Sequence, residues 1–262
     1  MNCDNPVSGA FIWLAILVAY PMVALGGLSS LVVAMSMSIL GLSTTHDLKW
    51  TTRAGANAFL AGAMVTALVD YPSNFFVDFF WQLVSASSLG IYCLGVHFLL
   101  FSPTPTSSIP PLLWSYNIVV GIAALDFVLS DRATLTALAP DAEALSGSYS
   151  ILSSSFSCVS AIFGVTQPWC GVFILIGVSL CSRILALSLL GSSCVAGLLG
   201  WGFGMAAVDV NAGMAGCQAA LVAVTCAYYF VPSKPLVVLT GFAILGTCIL
   251  QSAIATIFIA IM

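Results

Sequence analysis

Charge is what this sequence has least of: five lysines and arginines and nine aspartates and glutamates make up 5% of its 262 residues. A water-soluble domain of that size covers itself with far more polar surface, so a chain that is 61% hydrophobic, with a mean hydropathy of +1.14, fits no soluble class. The five cations stand singly and the net charge is −4, which excludes a nucleic-acid surface and a polybasic lipid-binding tail. Catalytic patterns are missing too. There is no G-x-S-x-G, no H-E-x-x-H and no phosphate-binding glycine loop. Of the two histidines, His97 has no carboxylate at ligand spacing, and His46 has only the adjacent Asp47 in a polar loop. Adjacent residues rarely converge on one substrate, so a solvated loop is the simpler reading. The nine cysteines contain no C-x-x-C pair, and most stand in apolar runs, where a thiol packs as a small hydrophobe. No enzyme, metal site or cofactor is therefore expected. No basic stretch precedes the first apolar run, so no signal peptide is expected either.

What the chain does have is apolar spans and an internal repeat. Asn5-Pro6-Val7-Ser8-Gly9 returns as Gln167-Pro168-Trp169-Cys170-Gly171, 162 residues later, and Ser30 aligns with Ser192 at the same offset. Further on, Gly55-Ala56-Asn57-Ala58-Phe59-Leu60 matches Gly216-Cys217-Gln218-Ala219-Ala220-Leu221 at an offset of 161 residues, one deletion later. Breaks at Tyr20-Pro21, Ser43 to Arg53, Tyr71 to Asn74, Pro103 to Pro111 and Asp131 divide the first half into spans near 7–20, 22–42, 54–70, 75–101 and 112–130. The second half gives spans near 169–182, 184–203, 212–230 and 236–261. Between the halves, 131–150 is a polar linker. Tyr149 to Val165 is Ser-rich and too short and polar to cross, which suits a re-entrant helix buried in protein.

The expected fold is an all-α polytopic membrane protein built of repeats 1–130 and 151–262, the second lacking its fifth span. A first copy that crosses an odd number of times leaves the second copy inverted, an arrangement that usually frames a solute pathway. Asp126, one turn inside the fifth span, reads as a snorkelling or capping residue rather than a proton relay. The scarcity of intramembrane charge argues against an ion-coupled pump and for passive passage of a neutral solute. Asn-Pro followed by Gly also suits plain helix capping and close packing. Water channels open their pore helices with Asn-Pro but continue with alanine, where this chain has Val7 and Trp169, and their halves hold three spans.

NPVSG with AFIWLAILV, QPWCG with GVFILIGVSL, the GANAFLAG and GCQAALVA pair, and PPLLWSYN at Pro110 to Asn117 resemble, in their order, the urea transporter family. The resemblance covers nearly the whole chain. It implies a passive, channel-like path for urea between two inverted halves of five helices with re-entrant pore helices, in a homotrimer. Phenylalanines form a slot in that family, and a ladder of oxygens accepts the N–H bonds of urea. Placed on this sequence, the slot positions are Ala56 and Cys217, each followed by a leucine four residues on, Leu60 and Leu221. The re-entrant Gln or Glu corresponds to Ala161 and the central threonine to Leu113. The first re-entrant helix is expected before Met1, and the second central threonine beyond Met262.

The substrate path implied by the resemblance is thus Ala56, Leu60, Leu113, Ala161, Cys217 and Leu221, with Asn5, Pro6, Gly9, Asn57, Asn117, Gln167, Pro168, Gly171 and Gln218 as the structural motif. The leading reading is passive transport of urea or a similar small neutral solute, with membrane lipid and sister subunits as the other partners. The alternative is a non-transporting structural or regulatory membrane subunit derived from the same fold. An intramembrane enzyme has only Asp126 and scattered serines behind it.

If loops alternate sides, Lys49, Arg53, Arg183 and Lys234 share the face of the N-terminus, while Asp70, Asp78, Asp131, Asp141, Glu143 and Asp209 lie opposite. Basic residues stay cytoplasmic, which in a plasma membrane puts the N-terminus inside and Met262 outside. In intact cells a tag after Met262 should be labelled by an impermeant reagent and a tag before Met1 protected. The reverse pattern overturns the span count or the charge reading.

Overall fold

The computed structural model describes residues 5–41, 48–70, 75–101, 134–135, 150–231 and 233–261. The expected span 112–130, most of the linker 131–150, Leu113 and Asn117 lie outside the described residues. The described chain is helical apart from one two-residue antiparallel pairing of Val69–Asp70 with Thr134–Leu135.

Proline and a polar residue start the helices. Asn5 caps α1 (Pro6–Ala19), its Oδ1 accepting the Val7 N–H at 3.0 Å, with Pro6 in the first turn, where a missing N–H costs nothing. Tyr20 interrupts the helix before Pro21 opens α2 (Pro21–Gly41). Helices α3 (Leu48–Leu68) and α4 (Phe75–Phe101) follow. After Ser150 come α5 (Ile151–Ala161), α6 (Pro168–Cys181) and α7 (Arg183–Gly202). Ser182 stands extended between the last two and caps α7 through the Leu185 N–H at 3.4 Å. The chain ends in α8 (Ala207–Asn211), α9 (Cys217–Tyr229) and α10 (Lys234–Ile261).

The helix boundaries keep the sequence offset. α1 and α6 are each 14 residues long and begin at Pro6 and Pro168. The interruptions Tyr20 and Ser182 are likewise 162 residues apart. α2 has 21 residues and α7 has 20, so the deletion that lowers the offset to 161 falls inside this helix. α3 and α9 end at Leu68 and Tyr229, 161 residues apart. One element departs from the pattern. The expected span 212–230 starts only at Cys217, because Gly213 adopts φ +82° and breaks what α3 runs through without interruption. The position matching Gly213 in the first copy is Thr52, a β-branched residue for which such a φ is strongly disfavoured.

The chain forms two compact units. In one, α2, α3 and α4 pack through small residues. A Cβ on Gly62 would lie 2.5 Å from the Ser30 Cβ, and Gly90 sits against the Ser30 carbonyl. Ser30 Oγ donates across to the Ala58 carbonyl at 2.7 Å. Close backbone approach of this kind is how helices associate where lipid removes the hydrophobic driving force.

The other unit holds α5 to α10 together with Pro6 to Ala15 of α1. Here the two sequence-related helices α1 and α6 touch, and their contacts are reciprocal. Ser8 Oγ donates to the Gly177 carbonyl at 2.5 Å, and Cys170 Sγ points to the Ala15 carbonyl at 3.6 Å. Ser8 and Cys170 are counterparts in the repeat, and so are Ala15 and Gly177. Phe11 packs on its own counterpart Phe173, ring centroids 6.1 Å apart. On the outside, α10 exposes Val237, Val238, Leu239, Phe242, Ile249 and Leu250, a surface that suits lipid.

Gly171 faces the Phe156 carbonyl so closely that any Cβ would collide with it, whereas Gly191 has nothing within 4 Å. Gly171→Ala should destabilise the purified protein by about 1–3 kcal/mol. Gly191→Ala, at an exposed helical position, should be neutral or stabilising by up to about 1 kcal/mol. Melting temperatures in detergent check both. Equal melting of the two variants overturns the assigned α5–α6 contact.

Candidate functional site

The polar groups of the second unit gather where the α8–α9 break meets α5. Helix α5 is capped by Ser150, whose side chain accepts the Ser153 N–H at 3.4 Å, and it buries Ser154, Ser155, Ser157 and Ser160. It ends in a reversal in which the Val165 N–H bonds the Ser160 carbonyl at 3.3 Å and Gly164 takes φ +76°. The chain then leads through Gln167 into α6. Eleven residues give α5 a length of about 16 Å, roughly half a hydrocarbon core.

The break leaves backbone carbonyls without helical partners, and side chains from neighbouring helices take them up. Ser154 Oγ donates to the Val210 carbonyl at 2.7 Å. Asn211 Oδ1 accepts the Ser150 N–H at 3.4 Å. The Met214 carbonyl accepts from Gln251 Nε2 on α10 and, more weakly at 3.9 Å, from Cys217 Sγ. Gly213 lies directly on the Ser157–Cys158 peptide, and a Cβ on Gly216 would be 2.5 Å from Cys158 Sγ and 3.2 Å from the Ala196 Cβ. Two buried oxygens in this region have no hydrogen-bond partner, Ser157 Oγ and Gln251 Oε1. Ser157 is fully buried. Arg183, Asp209 and Lys234, the charged residues described in this unit, are all exposed, so the site is polar and neutral. Among the described residues no group of His, Cys, Asp or Glu is arranged to hold a metal ion.

The residues singled out from the sequence fall into two sets. Ala56, Asn57 and Leu60 lie on α3 in the first unit, with Asn57 and Leu60 buried and Ala56 half-buried. Cys217 opens α9, Leu221 follows one turn later on the same face, and both are buried. Gln218, beside Cys217, is half-buried. Ala161 is the buried last residue of α5, one turn beyond Cys158. Asn5 and Gln167 occupy the N-cap positions of α1 and α6, with Pro6 and Pro168 behind them. Gly171 is tightly packed and Gly9 has nothing within 4 Å.

Ser157 and Gln251 were not among the expected site residues. The Ser-rich run around Ser157 was visible in the sequence, and Gln251 is the one amide in the long apolar run 236–261. A primary amide in such a run needs partners in the absence of water, which is the signal that marks it.

Compared with known proteins, residues 1–262, the whole chain, match the family model described as urea transporter. No curated protein matches the chain.

Removing the Ser154 hydroxyl leaves the Val210 carbonyl buried and unpaired. Ser154→Ala should therefore cost about 1–3 kcal/mol in unfolding free energy. Ser179→Ala, on an exposed hydroxyl that bonds its own helix at the Ile176 carbonyl, should change stability by less than about 0.5 kcal/mol. Thermal unfolding of the two variants side by side measures the difference. Equal stabilities would remove Ser154 from the account of the break.

Proposed function

The chain belongs to the urea transporter family, membership of which implies passive urea transport across a membrane, and we propose that it provides a channel-like path for urea or a similar small neutral solute. The match of the family model over all 262 residues carries this reading. It is an integral membrane protein, with α2, α7 and α10 each containing a 20-residue apolar stretch long enough to cross.

The finer architecture is inferred. Two inverted repeats, residues 1–130 and 151–262 joined by the linker 131–150, account for the helix boundaries that recur at one offset. They also account for the reciprocal Ser8–Gly177 and Cys170–Ala15 contacts, since exchange of equivalent contacts is what a two-fold relation between copies produces. Helix α5, half a membrane long and followed by a reversal, takes the part of the re-entrant helix. The protein is assigned to the plasma membrane with its N-terminus cytoplasmic, as a homotrimer in lipid. The path runs past Ala56, Leu60, Leu113, Ala161, Cys217 and Leu221. Its chemistry is that of an amide solute shedding water, which costs a few kcal/mol unless its hydrogen bonds are replaced.

A second reading has a specific observation behind it. The positions assigned to slot aromatics and ladder side chains hold Ala56, Cys217, Leu113 and Ala161. Each missing ladder bond, at about 1–3 kcal/mol, slows passage roughly five- to a hundredfold. A non-transporting subunit of the same fold follows if nothing replaces those bonds.

Stopped-flow shrinkage of vesicles containing the purified protein, with urea as osmolyte, separates the two. Urea entry should exceed that of empty vesicles. The variant carrying Ala56→Phe, Leu113→Thr, Ala161→Gln and Cys217→Phe should raise it by about tenfold or more if two ladder bonds return. Wild-type entry equal to that of empty vesicles, unchanged in the folded quadruple variant, would establish the non-transporting subunit.

A further inference from the structure

Two oxygens in the second unit are buried with no partner, and both border the same turn. Ser157 Oγ is on a residue with no exposed surface, and Gln251 Oε1 belongs to a carboxamide whose Nε2 is already committed to the Met214 carbonyl. The same carbonyl receives Cys217 Sγ, so the Gln251 head group lies beside a residue of the proposed path. Gly213, the residue before Met214, rests on the Ser157–Cys158 peptide. Four segments thus converge there: the middle of α5, the Gly213–Met214 turn, the start of α9 and the inward face of α10.

Proteins pair the large majority of buried polar groups, and one left alone calls for a specific reason. A carboxamide oxygen accepts only, and a serine hydroxyl accepts and donates, so the pair asks for a molecule that brings donors. The charged residues described in this unit are exposed, and no carboxylate lies in the cluster to offset the dehydration of a cation. A small neutral amide with N–H groups fits those demands.

Resting on the transport reading above, we propose that Ser157 and Gln251 form an acceptor site beside Cys217 for the N–H groups of a small neutral amide such as urea. The site replaces ladder oxygens absent from Leu113 and Ala161 with oxygens from other positions of this chain. Only Gly at 213 allows it: a side chain there would displace the α5 peptide that carries Ser157.

Binding and flux test it separately, with the full-length protein. Saturation-transfer NMR in detergent should show contact with methylurea for the wild type and its loss in Ser157→Ala. Tetramethylurea, which has no N–H, should give the same weak signal with both. In vesicles, Ser157→Ala should lower urea entry roughly five- to a hundredfold. Gln251→Met should behave likewise, but it also frees the Met214 carbonyl, so Ser157→Ala decides. If Ser157→Ala binds methylurea and passes urea as the wild type does while melting at a higher temperature, the hydroxyl is only an unpaired group and the site is overturned, with the transport reading intact. If the wild type passes no urea yet binds methylurea through Ser157, the site stands and the transport reading fails.

Discussion

A polypeptide in hydrocarbon has no water to satisfy its backbone, so each place where a helix stops must be closed by the protein itself. The second unit is organised around that demand. The α8–α9 break frees the Val210 and Met214 carbonyls, and Ser154 from α5 and Gln251 from α10 reach in to bond them. α5 ends in its own backbone reversal at Ser160 to Val165, and α7 starts on the Ser182 hydroxyl. Take away those side chains and the break is no longer affordable. The serines of this chain follow from a fold that interrupts its helices where solvent cannot help.

The same economy explains the glycines. Hydroxyls are short, so a serine bonds a neighbouring helix only when the two backbones come close. Gly62 and Gly90 let Ser30 reach Ala58, and Gly171 lets α6 lie on the Phe156 carbonyl. Where the neighbour is too far, the hydroxyl turns back. Ser192, the repeat counterpart of Ser30, bonds the Ser188 carbonyl of its own helix at 2.6 Å. One residue type thus plays two parts in two copies, and spacing between helices decides which.

Divergence between the copies is concentrated where function is proposed. α1 and α6 keep the same length, the same proline start and reciprocal contacts. α3 and α9 share an end but differ at the start, where Gly213 stands in place of Thr52. The corresponding position of Gly90, which packs on backbone, is Gln251, which supplies a polar head group. A scaffold held constant and one altered helix start suit a protein that passes a neutral, hydrogen-bonding molecule.

By itself the sequence determined the membrane environment, the duplication and most helix boundaries. α4 covers the expected 75–101, and α1, α2, α6 and α7 lie within one residue of their expected ends, because proline, serine and lone polar residues interrupt apolar runs by local chemistry that needs no partner. It also marked Ala56, Cys217 and Leu221 through their place in the repeat. Tertiary structure alone decided that 212–216 is a turn, that Cys217 rather than residue 212 opens α9, and that Pro6 to Ala15 belongs with the second unit. Gly213 is permissive in sequence, and only the α5 backbone pressed against it selects φ +82°. Ser157 and Gln251 are 94 positions apart, and no local pattern links them. They border one turn because helix packing brings them there, and hydrogen-bond satisfaction is a property of that packing rather than of either residue.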